Sequence, residues 1–146
     1  MIVDTSAIVA IASNEEDADR LLATLLTAAL PRISAGNLLE TYMVIDRRRN
    51  PIATALLEQI MARIALTVEP VTAEQVEIAR DAFRRFGKGS GHPARLNYGD
   101  CFAYALARFH DEPLLFVGND FPQTDIASAS REREAEDDFS NADIRP

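Results

Sequence analysis

The chain has 146 residues, 47% of them hydrophobic, and a net charge of −8. That balance fits one globular domain with its own core, and it excludes both a disordered chain and nucleic-acid binding by bulk charge alone. The apolar runs are too short for a membrane span, no signal-peptide pattern precedes the first strand, and Cys101 is the only cysteine, which excludes intrachain disulfides and cysteine-based zinc sites.

Ile2 and Val3 form a short β-branched run ending at Asp4 and predict a central strand. Thr5 or Ser6 can cap a helix running through Ala12. Leu21, Leu22, Leu25 and Leu26 recur at helical spacing over 15–30, and Pro31 closes that segment. Ile33 and Ser34 are a minimal second strand, and a helix over 34–49 carries Leu38, Leu39, Tyr42, Met43 and Ile45. Pro51 suits the first turn of the next helix, ending near Arg63. A third strand follows over 66–68. Thr72 then caps a helix that ends at Gly87, and residues 87–93 are glycine-rich and expected to be flexible. Asn97 caps a helix over 98–110, which leads to a strand over 114–117.

Short apolar strands alternating with helices predict an α/β sandwich with a mainly parallel sheet. The domain is expected to span 1–126. Residues 127–146 lack hydrophobic period, and six acids there outnumber three arginines, so an acidic, mobile tail is predicted. Residues 80–95 are the opposite, with Arg80, Arg84, Arg85, Lys88 and Arg95 against Asp81 alone. Cys101, among Tyr98, Phe102 and Leu106, reads as a small core residue rather than a reactive thiol.

Four acids stand at the edges of apolar segments: Asp4 in MIVDTSA, Glu40 in AGNLLETYMV, Asp100 in LNYGDCFAYALA and Asp120 in LLFVGNDF. Parallel sheets bind ligands beyond the carboxyl ends of their strands, where Asp4 and Asp120 fall. Asp100, one turn into its helix, and Glu40, at the boundary of a buried face, can meet them there. Carboxylates brought together repel, and a hard cation such as Mg2+ or Mn2+ reverses that cost. Such an ion activates water against a phosphodiester. Each acid also has a plainer reading. Asp4 could cap the following helix, Asp100 could answer a helix dipole, Glu40 could pair with Arg47 or Arg48, and Asp120 could serve a turn.

The ordered set MIVDTSA, LLETYMV, FGKGSGHPARLNYGDCFAYALA and LLFVGNDFPQTDI resembles the PIN-domain ribonuclease toxins of the VapC type over residues 1–126. The resemblance implies a PIN-like three-layer sandwich and a Mg2+- or Mn2+-dependent endoribonuclease acting as the toxin of a type II toxin–antitoxin pair. It makes Asp4, Glu40, Asp100 and Asp120 the catalytic acids, with Asp4 and Asp100 as direct metal ligands and Glu40 and Asp120 supporting the ion. Thr5 or Ser6 would position water or a phosphate, and Asp125 is a fifth acid or a cap. It also implies a VapB-type antitoxin whose arginine or lysine enters the acidic pocket, an RNA substrate with transfer RNA among the candidates, a homodimer, and a cytoplasmic location without membrane contact. Arg84, Arg85, Lys88, His92 and Arg95 are the candidate RNA contacts, whereas Arg47, Arg48 and Arg49 read better as a solvated helix end.

Two rival classes frame that expectation. A PIN-like module could hold RNA or protein without turnover, but such a domain would be expected to lose some of the four acids. A phosphatase with a nucleophilic aspartate wants a second acid two residues after the first, and Asp4 is followed by Thr5 and Ser6.

Overall fold

The structure, a computed structural model, describes residues 1–130. Four strands, β1 (Ile2–Val3), β2 (Arg32–Ser34), β3 (Thr67–Glu69) and β4 (Leu114–Leu115), form a parallel sheet in the order β3-β2-β1-β4. Ile2 lies opposite both Arg32 and Leu114, and Val3 lies opposite Leu115. The helices are α1 (Thr5–Ala12), α2 (Ala18–Thr27), α3 (Ala35–Arg48), α4 (Pro51–Arg63), α5 (Ala73–Phe86) and α6 (Tyr98–His110). No helix among the described residues is long and apolar enough to cross a membrane.

Strand alternation sends side chains to opposite faces, so each central strand serves two cores. Val3 and Leu115 join Ile8, Leu21, Leu25, Ile45 and Leu57 on one face. Ile2 and Leu114 join Ala82, Leu96, Tyr104 and Leu106 on the other. All four strand residues are fully buried. Two cores flanking one sheet are the three-layer α/β sandwich that the sequence predicts.

Several boundaries differ from expectation, each for a local reason. Asp4, and neither Thr5 nor Ser6, caps α1, accepting from the Ser6 N–H. α2 is shorter than 15–30 because the backbone turns extended at Ala28, ahead of Pro31. β4 stops at Leu115 because the Val117 N–H turns to Ser6 Oγ, 3.0 Å away. The segment 87–93 is pinned rather than free: Lys88 N–H donates to the Leu96 carbonyl (3.0 Å) and Leu96 N–H to the Phe86 carbonyl (2.8 Å). Ala94 beneath it is fully buried, and the His92 ring meets Phe86 edge-on at 4.9 Å. The packed chain also continues past 126. Leu114 N–H donates to the Ala127 carbonyl, Ala129 N–H donates back to Leu114, and Ala129 is buried. The tail expectation for 131–146 lies outside the described residues.

Leu115 should be among the most sensitive core positions. Leu115→Ala is expected to cost about 2–5 kcal/mol by urea denaturation, whereas Leu39→Ala, at a side chain 61% exposed, should stay within about 0.5 kcal/mol.

Candidate active site

The chain runs from β1 to β2 on one side and returns through β4 on the other, so the crossover direction reverses between β1 and β4. The carboxyl ends of two strands part there and leave the crevice in which parallel sheets bind ligands. Asp4 follows β1 directly and is only 3% exposed. Its Oδ2 accepts from the Ser6 N–H (2.9 Å) and from the Ser6 hydroxyl (2.5 Å). Because Ser6 Oγ also receives the Val117 N–H, one serine ties Asp4 to the segment leading to Asp120. Burial pushes the Asp4 carboxyl up to about 6, against the Ser6 hydrogen bonds, with the charges of Asp100 and Glu40 adding to the rise.

Asp100 is held by a capping box: the Asn97 side chain accepts from the Asp100 N–H (3.0 Å), and Asp100 Oδ2 accepts from the Asn97 N–H (2.7 Å). Burial raises its pKa as well, and Asp120 and Glu40 push the same way while Lys88 pulls it down. Glu40 Oε2 accepts the Thr5 hydroxyl at 2.7 Å, so it is not paired with Arg47 or Arg48. Asp120 is exposed, just ahead of the turn Phe121–Gln123. The four acids thus share one neighbourhood in which each feels at least one of the others.

For Asp4 and Asp100 the capping reading holds, and capping does not take up both carboxylate oxygens. Each uses Oδ2 to close a helix N-terminus, which fixes the carboxylate and leaves Oδ1 outside the cap. Among the described residues, no three His, Cys, Asp or Glu side chains by themselves surround a single ion position. The oxygen donors of the four acids suit a hard cation rather than a softer metal. Mg2+ takes one or two carboxylates and keeps several waters, and every donor here is a hard oxygen. Buried Asp4 and half-buried Asp100, both with raised pKa, also supply the unbalanced negative charge that a cation relieves.

The remaining predicted residues divide. Thr5 and Ser6 both lie within the site, each bonded to one of its acids. Lys88, Arg84 and Arg95 are exposed and, among the described residues, form no ion pair. Arg85 is engaged instead, with Asp125 at 3.2 Å and its guanidinium 4.4 Å above the Phe86 ring. Asp125 therefore does not join the acids. Burial works against its ionisation, but the Tyr104 hydroxyl (2.7 Å) and Arg85 hold it below the usual carboxylate range. Arg48 pairs with Glu15, in keeping with a solvated helix end. Cys101 is buried and its thiol pushed up to about 11, by burial first and then by Asp100.

Two residues of the site carry no sequence expectation. Asn37 is completely buried among Asp4, Thr5 and Gly99. Gly99 lets α6 approach α3, since a Cβ there would collide with the Glu40 carboxylate. An Asn three residues before Glu40, and a Gly immediately before Asp100, were the only signals available.

Asp4 sets a pH dependence of stability. Its folded pKa lies above the unfolded value, so from about pH 4 upward the folded protein keeps a proton that the unfolded chain has lost. Stability from this group therefore falls as pH rises, reaching a cost of about 3 kcal/mol above pH 6. In EDTA, Asp4→Asn should gain about 1–2 kcal/mol on wild type between about pH 5 and about pH 7.5, read by urea denaturation. A constant gap would mean that Asp4 is not desolvated. Gly99→Ala should displace Glu40 and slow any reaction at the site far more than it lowers Tm.

Comparison with known proteins agrees with this geometry. Residues 1–127 match the PIN domain. The chain is 47% identical over 129 residues to VapC ribonuclease Mb0625 of Mycobacterium bovis and to Ribonuclease VapC28 of Mycobacterium tuberculosis, which covers 88% of this chain and 97% of each relative. It is 45% identical over 127 residues to Ribonuclease VapC36 of Mycobacterium tuberculosis, covering 86% of this chain and 91% of that relative. Among solved structures, Mycobacterium tuberculosis VapC20, a sarcin–ricin loop cleaving toxin, matches with a TM-score of 0.67 at 25% identity, over 86% of this chain and 95% of that one. A parallel sheet with acids gathered at its β1/β4 crevice, and relatives of nearly equal length, place the chain in the PIN-domain family of VapC ribonucleases.

Proposed function

We propose that this VapC-family ribonuclease is a Mg2+- or Mn2+-dependent endoribonuclease and the toxic half of a type II toxin–antitoxin pair. The observation that carries the reading is Asp4: a carboxylate 3% exposed, at the end of the central strand, under the charges of Asp100 and Glu40. Such a group is unfavourable at neutral pH without a cation beside it. Asp4 and Asp100 would hold the ion through the oxygens their caps leave over, and Glu40 and Asp120 would support it. The bound ion would lower the pKa of a water and neutralise charge developing on the phosphoryl oxygens. Thr5 keeps Glu40 in place, and Ser6 does the same for Asp4. Glu40 and Asp120 orient the attacking water, which adds to phosphorus as the bond to the leaving oxygen breaks.

RNA would approach across the pinned segment that carries Lys88 and His92, with Arg95 just beyond it and Arg84 at the end of α5. Lys88 already acts electrostatically on Asp100, so a phosphate bound to it lies beside the acids. Arg85 is a weaker candidate, because Asp125 and Phe86 occupy it. The substrate class is a structured RNA, either transfer RNA or a ribosomal loop like that cleaved by VapC20. On the other flank, a cleft of about 310 Å³ joins Glu40 and Gly99 to Leu39, Met43, Tyr98 and Phe102. Leu39, Met43 and Tyr98 are 61%, 53% and 79% exposed. Apolar surface beside an acidic pocket suits a VapB-type antitoxin that offers apolar side chains and one arginine or lysine. A homodimer working in the cytoplasm completes the reading.

Antitoxin-free protein should cleave RNA when Mg2+ or Mn2+ is supplied, and Asp4→Ala or Asp100→Ala should reduce cleavage to the level of buffer alone. Mapping new 5′ ends in cellular RNA after brief expression, with Asp4→Ala as control, would identify the target. Cleavage that persists in both variants and in excess chelator would overturn the assignment.

A further inference from the structure

Asn37 is fully buried, yet no step of the reaction uses it. Its Nδ2 lies 3.0 Å from the Gly99 carbonyl, 3.2 Å from Thr5 Oγ1 and 3.5 Å from Asp4 Oδ1. Its backbone carbonyl accepts from Thr5 (3.1 Å) and Thr41 (2.8 Å). All three partners of the amide are acceptors or can act as one, which fixes its orientation and turns Oδ1 away from them. That Oδ1 is buried and without a hydrogen-bond partner among the described residues.

A buried acceptor left unmade is a cost that natural cores avoid. A leucine would fill similar space without it, so packing alone does not account for an asparagine here. The chemistry of the surroundings does. Lysine or arginine would neutralise the acids, aspartate would add one more like charge, and serine is too short to span the three partners. A neutral side chain with two N–H donors meets all of these demands.

We propose that Asn37 is a positioning residue for the divalent-cation site. Its single amide joins Asp4 just after β1, Thr5 on α1 and the first turn of α6, where Gly99 precedes Asp100. Through the Thr5 hydroxyl it also reaches Glu40. Three of the four acids are thereby set to one spacing by one side chain on α3. The proposal rests on the cation-dependent nuclease reading above. Partners of this kind typically account for about 10–100-fold in metal affinity.

The test measures Mn2+ affinity by electron paramagnetic resonance on antitoxin-free protein, with Tm recorded for each variant. Asn37→Ala and Asn37→Leu should weaken Mn2+ binding by at least about tenfold, with cleavage partly restored by excess Mn2+ and little change in KM for RNA. Thr41→Val, which removes a neighbouring buried hydroxyl and leaves the amide in place, should lower Tm without changing Mn2+ affinity. Folded Asn37 variants that bind Mn2+ like wild type would overturn the proposal while leaving the nuclease reading intact. Wild type that binds no Mn2+ would remove both. If neither variant folds, the Asn37 side-chain amide signals of wild type decide the matter by nuclear magnetic resonance. They should move on Mg2+ titration with the midpoint of cation binding, and signals that stay fixed would refute the role.

Discussion

The buried carboxylate of Asp4 is the constraint around which the rest of the domain is arranged. It sits where β1 ends, in the middle of the sheet, with both faces of that strand sealed by separate cores. A charge in that position must be anchored by donors or neutralised. The fold supplies the donors: Ser6 provides two, and the Asn37 amide faces the other oxygen. These contacts do not cancel the effect of burial, since the pKa remains raised to about 6. The imbalance favours positive charge beside Asp4, which is what the proposed cation would supply.

The same economy of parts recurs at Asp100. A helix N-terminus needs acceptors for its unpaired N–H groups, and a metal site needs carboxylates held still. Asp4 and Asp100 meet the first need with Oδ2, and under the proposed function the oxygen left outside each cap would meet the second. Rigidity is thus inherited from secondary structure rather than from long side chains ordered one at a time. Gly99 serves the same purpose by absence, because its missing Cβ is the space into which Glu40 extends. Where α3 meets α6, Gly36 repeats the device, since a Cβ there would come within 2.9 Å of the Phe102 ring.

How much of this is legible in the sequence depends on how local its physics is. β1 and the helices α1, α3, α4, α5 and α6 follow from hydrophobic period and caps within a few residues of one another. The four acids are legible because each interrupts an apolar run. Asn37 is not, because an asparagine in a helix's first turn is also an ordinary surface residue, and only the tertiary approach of Gly99 and Asp4 makes it special. The pinned segment 87–93 escapes for a similar reason. Its glycines signal freedom, while the contacts that remove that freedom come from Phe86, Ala94 and Leu96, which the fold brings back to it. Asp125 shows the reverse error of local reading: its place in the terminal motif suggests a fifth acid, and its partners prove to be Tyr104 and Arg85.

The pairing of Asp125 with Arg85 also divides the labour among cations. A guanidinium stacked on Phe86 and bonded to two acids is structural, for it ties α5 to the chain beyond β4. Lys88 on the pinned segment and Arg95 just beyond it have no such partners among the described residues, and Lys88 stands near enough to Asp100 to be felt there. Under the proposed function, this acidic protein would in this way bring RNA to its cluster of acids. Its net charge is repulsive at long range, so association must rely on a few cations held at fixed positions within a Debye length of the phosphates. The backbone bonds between 86, 88 and 96 fix the main chain that would carry those cations, which lowers the cost of ordering them against a phosphate.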